Sequence, residues 1–122
     1  MTDSIDKTEH YLKFTTKASK LDLGNMQALL SSAQNELDQN EWIYFIFDIS
    51  NATQIDKHTI VSLQEINDAL LAKNGLLICF HEKNEMMAMF EENQLLLLPT
   101  ESEAIEYIYM DQLEKQFLED NE

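Results

Sequence analysis

The chain has 122 residues, with 23 acidic side chains against 8 basic ones and a formal net charge of -15. That length supports one domain with its own core and excludes two ordinary ones. Every basic residue is a lysine, so arginine's planar grip on phosphate is missing, and a surface this negative repels nucleic-acid backbones and anionic membranes.

Hydrophobic residues make up 44% of the chain, which is normal for a globular protein, so the acidity does not by itself signal disorder. Residues 1–10 are polar and read as a flexible N-terminus without the apolar segment of a secretory signal. The domain proper is expected over 11–122, including an extended C-terminal helix. The longest apolar runs, 42–47 and 95–98, fall far short of the roughly 20 residues that span a bilayer. Cys79 stands alone in an apolar strand pattern and reads as a buried core thiol. A cytoplasmic location is the expectation.

In chain order, 11–17 alternates large and polar residues like a half-exposed strand. Gly24-Asn25 punctuates the chain before a helical pattern of Met26, Leu29, Leu30, Ala33 and Leu37. The stretch 42–49 is apolar almost throughout and predicts a strand covered on both faces, hence central and parallel. A polar turn is expected over 50–54. From Asp56 the period becomes helical, with Ile60, Leu63, Ile66, Leu70 and Leu71 on one side and His58, Ser62, Glu65 and Asp68 on the other.

Asn74-Gly75 reads as that helix's stop. A second buried strand follows at 76–80, then a short helix carrying Met86, Met87, Met89 and Phe90, then a strand over 95–98 halted by Pro99. Thr100 and Glu103 have the spacing of a capping box. The final helix takes Ala104, Ile105, Ile108, Leu113, Phe117 and Leu118 as its apolar positions. Strands alternating with helices predict an α/β fold built from βαβ units: a small mixed β-sheet with the helices packed on it.

The residues Phe47-Asp48-Ile49-Ser50, followed by Asp56-Lys57-His58-Thr59-Ile60-Val61, resemble the signature of the STAS domain, the family of bacterial anti-sigma factor antagonists. In that family a strand ends in Asp-Leu-Ser-like residues, and Asp-Ser-Ser/Thr-Gly-Leu-Gly then opens a helix. Lys73-Asn74-Gly75-Leu76-Leu77-Ile78, Lys20-Leu21-Asp22-Leu23 and the run from Leu98 through Ile105 match in order and spacing. The resemblance covers about residues 11–112, most strongly 42–108. It implies a single STAS-like domain with a small mixed β-sheet and helices packed mainly on one face. It also implies transcription regulation through protein contacts: the antagonist binds an anti-sigma factor that is also a serine kinase, and phosphorylation of the serine after the motif aspartate controls that binding. Here the serine position is Lys57, which has no hydroxyl and does not imitate a phosphate. Thr59 and Val61 replace the two motif glycines.

The expected partner-binding residues are Ser50, Asn51, Thr53, Asp56, Lys57, His58, Ser62 and Glu65. Asp56 doubles as an N-cap. With no phosphorylation at Lys57, Thr59 and Ser62 are the hydroxyls put forward to take a phosphate, with Ser50 and Thr53 nearby. His10, His58 and His81 lack metal-site spacing. No paired-carboxylate site, Ser-His-Asp set or Gly-rich phosphate loop can be assembled, so no cofactor, metal or enzymatic activity is expected. The leading expectation is a regulatory module that docks an anti-sigma factor or related serine kinase, a partner with a basic patch, without the usual serine switch. The alternatives are a STAS-fold scaffold subunit of a larger signalling complex and, behind it, a small-molecule-binding protein.

Overall fold

The computed structural model of the protein describes residues 4–39 and 43–120. Its elements are β1 (Ser4–Lys7), β2 (Leu12–Thr15), β3 (Lys20–Leu21), α1 (Leu23–Gln39), β4 (Tyr44–Asp48), β5 (Gln54–Ile55), α2 (Lys57–Leu71), β6 (Leu76–Phe80), a 3-10 turn (Asn84–Met86), α3 (Met87–Glu92), β7 (Leu96–Leu98) and α4 (Glu101–Asp120). Trp42, the expected start of the central strand, lies outside the described residues, as do 1–3 and 121–122.

The five-stranded sheet runs β1-β2-β4-β6-β7. Strand β4 sits at its centre, parallel to both β2 and β6, and β7 continues the parallel order. β1 is antiparallel to β2 at one edge, so the sheet is mixed. The expected α/β class and mixed sheet are the observed ones. β4 explains its own apolar composition. Phe45 and Phe47 enter the core under α1, α2 and α3, while Tyr44 and Ile46 enter a second core with Ala104 and Ile108 of α4. Side chains alternate across a strand, so a strand buried on both faces reads as one continuous apolar run. Each fully buried aromatic contributes about 1.5–3 kcal/mol. Three helices thus pack on one face and α4 on the other.

Several local expectations are corrected. Residues 4–7 form an edge strand, Ser4 opposite Thr15, in a stretch read as flexible. The Thr8 hydroxyl closes the hairpin, donating to the Tyr11 carbonyl at 2.8 Å and accepting the Tyr11 N–H at 3.0 Å. Helix α1 already begins at Leu23, because the Asp22 carboxylate accepts the Asn25 N–H at 2.8 Å. Gly24 and Asn25 therefore lie in its first turn. At the end of α2 the left-handed residue is Asn74, with φ 68°. Gly75 is needed for closeness instead: a Cβ there would stand 1.7 Å from the Ile43 carbonyl oxygen.

The short helix at 87–92 and the strand stopped by Pro99 form as expected, and Cys79 is buried. In α4, Thr100 makes its half of the capping box, accepting the Glu103 N–H at 3.2 Å. Beyond Ile108, however, Leu113, Phe117 and Leu118 of the expected apolar positions are exposed.

Candidate functional site

The residues expected to bind a partner collect where β4 ends and α2 begins. At the strand end the Asp48 carboxylate accepts both the Ser50 N–H, at 3.0 Å, and the Ser50 hydroxyl, at 2.6 Å. The chain turns there, as short polar side chains bonded to their own backbone make it do. Ser50 and Asn51 are exposed, but Ala52 between Asn51 and Thr53 is buried.

The expected turn over 50–54 is partly a strand. Gln54 and Ile55 pair in parallel with Lys20 and Leu21. Thr53 is tied to the same segment, its N–H and hydroxyl both donating to the Ser19 carbonyl, at 2.7 and 3.1 Å. The Asp56 N–H donates to the Leu21 carbonyl at 3.0 Å. Two peptide segments therefore clamp the approach to α2.

Asp56 is the N-cap of α2: its carboxylate accepts the Thr59 N–H at 2.8 Å. That bond, helped by the nearby His58 and Lys20 charges, holds its carboxyl below the ordinary range. Lys57 and His58 are exposed on the first turn. Among the described residues no ion pair engages Lys57. Thr59 is fully buried and donates its hydroxyl to the Leu21 carbonyl at 3.0 Å. As a phosphate acceptor Thr59 is therefore corrected: its oxygen is spent inside the fold, with no room for a phosphate.

Glu65 is exposed and Ser62 half-buried. Together with Leu30, Ser31, Gln34 and Ile66 they line a cleft of about 200 Å³ between α1 and α2. It adjoins a hollow of about 430 Å³ that adds Leu23, Gly24 and Gln27. Among the described residues the Ser62 hydroxyl has no hydrogen-bond partner. A larger concavity lies elsewhere, on α4.

Three features of this surface escaped the sequence reading. Val61, one turn beyond Lys57, is 48% exposed, and Leu23 on α1 is 44% exposed, so apolar side chains stand among the polar ones. The lysine-to-valine spacing of four was the available signal. The third is His81, buried at the end of β6. Its Nδ1 accepts the Lys83 N–H at 2.9 Å, and its Nε2 meets the Ala52 carbonyl at 2.8 Å. A carbonyl only accepts, so Nε2 carries the hydrogen. This ring ties down the turn after β4, a role visible only once β4 and β6 lie side by side. No cluster of metal-ligating side chains occurs among the described residues, and none of their helices is long and apolar enough to cross a membrane.

This architecture coincides with that of known regulators. SpoIIAA, an anti-sigma factor antagonist, in its unphosphorylated form matches with a TM-score of 0.71 at 14% identity, over 88% of this chain and 98% of its own. An anti-sigma factor antagonist from Mycobacterium paratuberculosis gives 0.71 at 12% identity, over 88% and 93%. The phosphorylated form of the Bacillus cell fate determinant SpoIIAA gives 0.69 at 15% identity, over 88% and 99%.

The chain has the STAS fold. At such identities the likeness carries the architecture of the STAS fold and leaves its surface chemistry to be argued from this chain's own residues. No family model and no curated protein sequence matches the chain.

Proposed function

We propose that this protein is a non-enzymatic regulatory module that docks a protein partner through the head of α2. By the shared fold, the partner class is an anti-sigma factor or related serine kinase. The observation that carries this reading is the surface at the start of α2. Lys57, His58 and Val61 are exposed on the first turns of α2, and Ser62 of the same helix lines the hollow edged by Leu23, next to a backbone held by Ser19, Leu21 and His81. A rigid patch of mixed apolar and polar side chains suits protein docking, because little ordering entropy is lost on binding.

The usual serine switch is absent from this reading. Lys57 cannot take a phosphate, and Thr59 is shut in the core, which leaves Ser62 as the one candidate with an open hydroxyl on the helix. Docking is therefore constitutive, set by the partner's state, or switched at Ser62 instead of at the family's serine position.

Affinity purification of tagged protein from its native cells, beside a Lys57→Glu, Ser62→Glu variant, tests this surface. The expected result is a serine-kinase-like protein held by the wild type and lost by the variant. Retention of the same proteins by both would remove the head of α2 from the docking surface. The scaffold reading draws on a separate observation, the exposed apolar side chains of α4, which suit a protein with more than one contact.

A further inference from the structure

We propose that the outward face of α4 is a second docking surface, built for a partner helix with an apolar ridge flanked by lysine or arginine. Ala104 and Ile108 turn α4 toward the sheet. At successive spacings of three on the other side lie Tyr107, Met110 and Leu113, exposed by 44%, 67% and 60%. They line an open concavity of about 710 Å³ together with Asp111 and Glu114. Scattered exposed apolar residues are ordinary, but a contiguous row with its own concavity marks an interaction surface. A helical row of this spacing is read by another helix laid along it.

Charge selects the occupant. Glu103, Glu106 and Glu114 are exposed on this helix, and their spacing from Met110 and Leu113 puts them along the same row. The one lysine of α4, Lys115, is turned inward. It pairs with Asp111 at 2.7 Å and donates to the Tyr44 hydroxyl and the Asn74 carbonyl. Among the described residues, no cation pairs with these outward carboxylates.

A second copy would set glutamates against glutamates between two chains of charge -15. An anionic bilayer is repelled in the same way. A basic-flanked helix meets both requirements, filling the row and pairing the carboxylates. The surface lies across the sheet from α2, so this inference stands apart from the docking proposed there.

The test uses the full chain and a fluorescent amphipathic peptide with a leucine ridge flanked by lysines, beside a peptide with the same ridge flanked by glutamates. The comparison protein is Met110→Gln, Leu113→Gln. It keeps every carboxylate, so general attraction of a cation is unchanged, and it keeps good helix formers at both positions. Anisotropy titration is expected to show the lysine peptide binding the wild type at least tenfold more tightly than the variant, with the glutamate peptide unbound. Amide shift changes on titration should follow the outward face of α4.

Equal binding to both proteins would reduce the effect to bulk charge and overturn the proposal. So would shift changes centred on the head of α2. A wild type that sediments as a dimer, with a monomeric variant, would assign the face to a second copy and overturn the choice of partner.

Discussion

Helix α2 buries Thr59, Ile60, Leu63, Ile66, Asn67 and Leu70 against the sheet and its neighbours, whereas the longer α4 buries Ala104 and Ile108. Both sequences carry apolar residues at helical spacing. α2 lies over the sheet beside α1, and the Gln64 amide donates to the Asn93 carbonyl at 3.0 Å on its other flank. Among the described helices α4 is the one on the opposite face, and a helix of 20 residues is roughly 30 Å long, more than strands of five residues can cover. An apolar row reports that a helix has something to bury. It does not say that the domain itself buries it.

The comparison breaks first if the joints around α2 prove soft. Gly75→Ala should cost about 3 kcal/mol or more, since its Cβ would strike backbone at Ile43 rather than a movable side chain. Urea unfolding measures this, and a variant as stable as the wild type would mean that this junction is loose. Next is Asn67→Leu. The buried Asn67 carbonyl oxygen accepts the Leu77 N–H at 3.0 Å, and stranding that donor should cost about 1–3 kcal/mol.

On the α4 side, Tyr44→Phe removes the phenol's 2.6 Å bond to Asp111. The expected loss is about 1–2 kcal/mol, with faster proteolysis beyond residue 110, because Tyr44 ties that half of α4 to the central strand. Unchanged proteolysis would show that the tie is not what holds it.

Asp56 sharpens the comparison through pH. Its folded carboxyl is held below the ordinary range by the Thr59 N–H. The cap therefore stabilises the fold above the ordinary carboxylate range and is lost as pH falls through the folded value. The melting-temperature gap between wild type and Asp56→Ala should be full at neutral pH and shrink in acid. A gap that widened on acidification would contradict the cap. Smallest of all, Leu113→Gln should change stability by less than about 0.5 kcal/mol, because its side chain is 60% exposed. A larger loss would mean that Leu113 belongs to the core after all.

The resemblance at 47–61 located the candidate site, and the structure gathers Ser50, Asn51, Asp56, Lys57 and His58 at the strand-to-helix junction. It separates others by burial, which pattern does not fix. Thr59 and Ser62 are both helical hydroxyls three residues apart, yet Thr59 turns into the Leu21 carbonyl and Ser62 toward α1. His81 and Ser19 could not be read from sequence, since each reaches the turn from about 30 residues away.

What is local was legible in the chain itself: the continuous apolar run of β4, the aspartate that opens α2, and the proline that ends β7. These depend on side-chain chemistry and on periods of two and 3.6 residues, which any segment carries with it. Only the tertiary structure decided that residues 4–7 join the sheet, that Gly75 serves closeness rather than a left-handed turn, and that α4 keeps an apolar face outside. Each of those depends on which segment arrives alongside, through pairings between residues far apart in the chain.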